Sequence, residues 1–92
     1  MVFYVISYDI PCDKRRLKVA KLLEGYGQRV QWSVFECCLR PDQFQQLQKR
    51  LRRLYCSGED SIRFYPLHGQ LLEKVEIWGG PLLQSPPQSV IV

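Results

Sequence analysis

A single carboxylate closes an apolar strand near the amino terminus: Val2-Phe3-Tyr4-Val5-Ile6-Ser7-Tyr8-Asp9. Pro11 and a basic helix follow it, a place where α/β sheets often carry chemistry. Ser7 and Tyr8 lie beside Asp9, while Arg16, Arg29, Ser33 and Phe35 fall near strand ends or basic edges. A carboxylate with arginines suits a phosphate-bearing ligand and a divalent metal. One carboxylate does not hold Mg²⁺ firmly, because the ion wants six oxygens and usually takes one or two carboxylates with water and phosphate. A two-fold dimer that faces strand ends together supplies a second Asp9. An ion held there activates water and neutralises charge on a scissile phosphate, which is hydrolase chemistry.

Each residue also has a plainer reading. Asp9 can cap the strand-to-helix turn, Tyr8 can be a core residue with a bonded hydroxyl, and Phe35 can be packing. Ser33 can be an ordinary strand serine and Arg29 a solvated one. The other acids occupy poorer places: Asp13 caps a helix, Glu24 ends it, and Asp42, Glu59 and Asp60 belong to termini or loops. Glu36, on a strand, is the one rival. His68 is the only imidazole and reads as a loop residue, so any hydrolysis leans on metal and water.

The elements that position these residues follow from spacing. Both alternation sets of the first strand are largely apolar, which marks a central strand covered on both faces. Pro11-Cys12-Asp13 gives a turn and an N-cap. A helix is predicted from about Lys14 to Tyr26, stopped by Gly25 and Gly27. Its apolar face gathers Val19, Ala20, Leu23 and Tyr26, with Leu17 at the margin and Arg16 inside it. A buried arginine needs a partner, and the expected one is Asp9 or a phosphate beside it.

Residues 30–39 read as a second long strand, with Val30, Trp32 and Val34 on one face and Phe35, Cys37 and Leu39 on the other. Pro41 opens a second helix with the core stripe Phe44, Leu47, Leu51 and Leu54. Ser57-Gly58-Glu59-Asp60 is a loop, and Asp60–Leu67 and Lys74–Trp78 are predicted strands. The order is assigned as βαββαβ, with a short connector before the last strand. Residues 1–80 form one domain and 81–92 a proline-containing tail, whose apolar Val90-Ile91-Val92 end suits a sheet edge.

With 92 residues, the chain is near the lower end of what one core can stabilise. Burial against a second copy is therefore an expected aid. The net charge of +4 is clustered on two helices, at Lys14, Arg15, Arg16, Lys18 and Lys21, and at Lys49, Arg50, Arg52 and Arg53. Such clustering points to a polyanion, and so to nucleic acid. Cys12, Cys37, Cys38 and Cys56 lack zinc-site spacing and read as thiols in a reducing compartment. No stretch reaches membrane-spanning length or has the pattern of a signal peptide, so a cytosolic protein is expected.

Four motifs together carry a resemblance: Tyr4-Val5-Ile6-Ser7-Tyr8-Asp9-Ile10, the Lys14-Arg15-Arg16 helix start, the block from Glu24 to Glu36, and Ser61-Ile62-Arg63-Phe64-Tyr65-Pro66-Leu67. Over about residues 2–78 they resemble the small CRISPR-associated family usually called Cas-two. The resemblance implies a ferredoxin-like α+β fold with a four-stranded antiparallel sheet and two helices on one face. It also implies a homodimer whose last strand crosses to the partner, and a place in CRISPR adaptation beside the integrase usually called Cas-one. Some members are metal-dependent nucleases on RNA or double-stranded DNA, and others are scaffolds for spacer DNA. Carried over, the resemblance implies Asp9 and Tyr8 as catalytic residues, Asp9 as the Mg²⁺ ligand shared across the dimer, and Arg16, Arg29, Ser33 and Phe35 as nucleic-acid contacts. Trp32 stands where a tyrosine is common, and Arg40 replaces a helix-capping serine.

Overall fold

The structure, a computed structural model, describes residues 1–83. Its elements are β1 (Val2–Asp9), α1 (Asp13–Glu24), β2 (Gln28–Gln31), β3 (Val34–Leu39), α2 (Pro41–Leu54), β4 (Ser61–Leu67) and α3 (Gln70–Glu73). The strands form one antiparallel sheet in the order β2-β3-β1-β4. This is the ferredoxin-like arrangement, and β1 is central as expected.

Through β4 the order is βαββαβ, the assigned fold class, whereas the strands and helices placed from the sequence run βαβαββ; two of those strands are not where the sequence placed them. Residues 30–39 do not form one strand. The chain reverses at Trp32-Ser33, so that Gln28–Gln31 lies on the edge of Val34–Leu39, with an irregularity between Arg29 and Gln31. A single strand of that length would overrun the eight residues of β1, whereas a hairpin gives β3 a neighbour on each side. Lys74–Trp78 is not a strand either. A short helix, Gln70–Glu73, precedes it, and Trp78 is 89% exposed. The alternating Val75 and Ile77 are a strand pattern only beside a partner strand, and among the described residues this segment pairs with none. The expected terminal strand at Val90-Ile91-Val92 lies outside the described residues.

One face of the sheet makes the core. Tyr4, Ile6 and Tyr8 of β1 share that face with Phe35, Cys37 and Leu39 of β3. Val19, Ala20 and Leu23 of α1 and Leu47 and Leu51 of α2 pack onto them, so both helices lie on this side. Tyr4 stacks on Phe44 with ring centroids 4.0 Å apart, and Phe64 meets Phe44 edge-on at 5.6 Å, both within the favourable range for aromatic pairs. On the opposite face Phe3 is buried, Val5, Ser7, Val34 and Cys38 are half-buried, and Tyr65 is exposed.

The helix starts differ from expectation in detail. Cys12, not Asp13, is the N-cap of α1, and it makes no side-chain cap bond. Asp13 is the first helical residue, where its charge suits the positive end of the helix dipole. Before α2, the Arg40 backbone N–H donates to the Gln43 side chain at 2.9 Å, half of a capping box that needs no serine. Gly27 brings the chain onto β3: a Cβ there would collide with the Glu36 carbonyl and the Cys37 sulfur.

Candidate nucleic-acid interface

Asp9 is the last residue of β1, exposed, and paired in register with Ser61 of β4. Its carboxylate has no hydrogen-bond or ion-pair partner among the described residues. Alternation along the strand places its neighbour Tyr8 on the helix side. Tyr8 and Asp9 therefore diverge, and the expectation of two adjacent catalytic groups on one surface is corrected.

Tyr8 is buried and stacks loosely near Phe35, with centroids 6.3 Å apart. Its hydroxyl donates to the Trp32 carbonyl at 3.5 Å. Burial raises the phenol above its ordinary value, and the nearby Arg29 and Arg16 offset only part of that rise. A protonated, half-enclosed phenol is no general base at neutral pH.

Arg16 does not pair with Asp9, which is a second correction. Its guanidinium donates to the Ile10 carbonyl at 2.9 Å and to the Asp13 carboxylate at 2.5 Å. The carbonyl at the strand's end satisfies the inward-facing arginine locally, while Asp13 is largely exposed and adds only a screened contact. Part of the guanidinium stays open to solvent, so it remains available to a phosphate.

Arg29, on edge strand β2, faces the helix side. Its guanidinium lies 5.2 Å from the Phe35 ring centroid and 6.0 Å from that of Trp32, and it sits 3.8 Å from the Glu24 carboxylate. Phe35 itself is fully buried, so its expected role as a direct nucleic-acid contact is corrected: the ring supports Arg29 from beneath. Ser33 occupies the β2–β3 turn, and its carbonyl accepts the Tyr8 backbone N–H at 3.1 Å. The structure thus brings Tyr8, Arg16, Arg29 and Ser33 to one end of the sheet, with Phe35 under them and Asp9 at their margin.

Sequence reasoning missed two features here. Trp32 is 77% exposed at the turn rather than packed on a strand face, and the only warning was its place beside Ser33. Asp60, read as a loop acid, is buried and clasped by Arg15. That clasp fixes the entry to β4, where Ser61 pairs with Asp9. His68 follows β4 at the end where Leu67 pairs with Phe3, so it lies at the far end of the sheet from Asp9.

At this end Glu24 and Asp13 lie against Arg29 and Arg16, and Asp9 is the carboxylate without a partner among the described residues. Among the described residues no group of three or more His, Cys, Asp or Glu side chains converges on a point. The described residues of one chain therefore do not make up a complete ion site.

Comparison with known proteins agrees with this fold and these motifs. The family described as CRISPR associated protein Cas2 matches residues 1–75. The Synechocystis sp. protein named CRISPR-associated endoribonuclease Cas2 3 is 65% identical over 92 residues, spanning 100% of both chains. Among solved structures, a hypothetical protein from Thermus thermophilus superposes with a TM-score of 0.79 at 49% identity, covering 90% of this chain and 98% of that one. A chain of a partial Cas6-RT-Cas1–Cas2 complex superposes with a TM-score of 0.74 at 37% identity, covering 84% and 90%. On these grounds the chain belongs to the CRISPR-associated Cas2 family.

Proposed function

We propose that this chain acts in the cytosol as a homodimer at the spacer-acquisition stage of CRISPR immunity, hydrolysing phosphodiester bonds of RNA or double-stranded DNA. The observation that carries the reading is the exposed carboxylate of Asp9 at the end of the central strand, without a partner among the described residues and at the margin of the end that holds Arg16 and Arg29. The domain of residues 1–80 pairs through the sheet face opposite the helices. Two Asp9 carboxylates then hold Mg²⁺ between them. When bound, the ion supplies an activated water and neutralises charge on the phosphate under attack. Arg16 and Arg29 bind flanking phosphates, and Ser33 contributes a hydroxyl at the same edge. Tyr8 stays protonated, donates to the Trp32 carbonyl and transfers no proton.

A second reading makes the chain a non-catalytic scaffold that holds DNA for an integrase. Its likeness to a chain of a Cas1–Cas2 complex favours this, as does the distance of His68 from Asp9. Incubation of the purified protein with RNA and with duplex DNA, with and without Mg²⁺, separates the two. The nuclease reading expects cleavage that Asp9→Asn abolishes while binding persists or tightens. Wild-type-rate cleavage by Asp9→Asn places the site elsewhere, and no cleavage with any divalent metal leaves the scaffold.

A further inference from the structure

The two basic helices are not uniformly basic. α1 carries Lys18-Val19-Ala20-Lys21-Leu22 and α2 carries Arg50-Leu51-Arg52-Arg53-Leu54. In both, the first and fourth residues are cations, the second is buried in the core, and the fifth is a leucine. Cations three apart on a helix stand side by side. When α1 and α2 pack together, Lys18, Lys21, Arg50 and Arg53 become two facing rails. They line a groove of about 420 Å³ over Leu22 and Leu54.

Among the described residues, the groove cations lack the carboxylate partners that several arginines elsewhere have. Arg15, Arg16, Arg29 and Arg40 each have a carboxylate within ion-pair distance. Among the described residues none of the four groove cations does; Arg50 donates to the Tyr26 hydroxyl at 3.1 Å and lies 5.8 Å from that ring's centroid. No acidic residue lines the groove. Like charges at helical spacing repel, so this arrangement weakens the folded state rather than supporting it. A bound polyanion reverses the sign of that effect, because each neutralised phosphate releases counterions and adds affinity.

We propose that the α1–α2 groove is a second nucleic-acid contact, gripping the sugar-phosphate backbone of a duplex on the outer surface of the helical layer, separate from the strand-end residues. The inference rests on the reading that nucleic acid is this chain's partner. The groove lies on the helix side of the sheet, so a second protomer on the opposite face leaves it open. Four cations against two leucines suit a backbone of regular charge better than an apolar peptide, and nothing at the groove reads base identity.

The test is fluorescence anisotropy of a labelled DNA duplex across a NaCl series, with the full chain, Lys18→Gln/Arg53→Gln, and Arg16→Gln/Arg29→Gln. Neither groove side chain packs in the core, and matching melting curves control for folding. The expected result is about tenfold weaker binding for the groove variant, with a salt slope shallower by about two, near one per lost phosphate contact. The charge-keeping exchange Lys18→Arg/Arg53→Lys should retain wild-type affinity. Wild-type affinity and slope in the groove variant, with binding lost only in Arg16→Gln/Arg29→Gln, overturn the groove assignment and leave the broader reading intact. Loss of poly-glutamate binding alone, with duplex binding kept, also overturns it and assigns the groove to an acidic polypeptide. A wild type that binds neither duplex DNA nor RNA at low salt removes the broader reading together with this one.

Discussion

Arg15 of α1 and Asp60 at the entry to β4 form a two-pronged ion pair: the guanidinium Nε and Nη2 donate to Oδ2 and Oδ1 at 2.7 and 3.0 Å. The Cys56 backbone N–H adds a third bond to Oδ2 at 3.0 Å. A turn that would otherwise be a free loop is thereby tied to the first helix.

The pair predicts a stability that depends on acid. Chiefly the Arg15 hydrogen bonds hold the Asp60 carboxyl below its ordinary value of 3.8. A depressed acid stabilises the fold above the unfolded value and loses that contribution as pH falls through the folded one. The melting-temperature advantage of wild type over Arg15→Met/Asp60→Leu should be full above about pH 4 and shrink below it. Asp60→Asn should be less damaging than Asp60→Ala, since the amide oxygen still accepts from Cys56. Thermal melts from pH 7 to pH 2.5 check both.

Glu36 should show the opposite sign. Its Oε1 is buried without a partner among the described residues, and burial raises the carboxyl above 4.5. A raised acid costs nothing while protonated in both states and destabilises once pH exceeds the unfolded value. Glu36→Gln is expected to melt about 2–4 °C higher at pH 7, equivalent to about 0.5 kcal/mol for a domain of this size. The gain should vanish near pH 4, and parallel melts of the two proteins at both pH values measure it.

Phe35 and Arg29 should separate structure from binding. Phe35 has no exposed surface, and truncation of a buried aromatic costs about 3–5 kcal/mol. Phe35→Ala should unfold at much lower urea and lose binding only in proportion to unfolding. Arg29→Ala should stay within about 0.5 kcal/mol of wild type yet weaken duplex binding. Urea titrations beside anisotropy decide whether the two effects part.

Gly27→Ala should cost about 1–3 kcal/mol, the usual range for overpacking, because its methyl meets the β3 backbone at Glu36. Gly58 is the control. A Cβ there meets nothing within 4 Å, and Gly58→Ala should be neutral or gain up to about 1 kcal/mol. Chemical denaturation of the two variants is the measurement.

Much of the fold was legible because the strongest patterns were the deepest ones. The β-branched and aromatic run of β1, the Leu47/Leu51 stripe of α2 and the Phe35/Cys37/Leu39 alternation of β3 are all core. The hairpin was not legible: Val30, Trp32 and Val34 continue the alternation across a turn that has no glycine or proline. Val75 and Ile77 mimic a strand for the reverse reason, since alternation carries no information on whether an edge is free. At the site, Asp9, Arg16 and Arg29 were visible as charges at strand and helix ends. Their partners were not. The Ile10 carbonyl bound by Arg16 and the Glu24 carboxylate near Arg29 depend on where the backbone runs, which residue types do not encode.

The pairing of β1 with both β3 and β4 has a consequence for biogenesis. The strand made first on the ribosome sits at the centre of the sheet, while its β4 neighbour ends only at Leu67. Until the chain has emerged through Leu67, the apolar run Val2–Tyr8 has one flank open. Closure across so long a stretch is slow relative to helix formation, and an open strand edge invites association between nascent chains. Anything that lengthens the wait, such as slow decoding between α2 and β4, should lower the soluble yield without altering any contact in the finished protein.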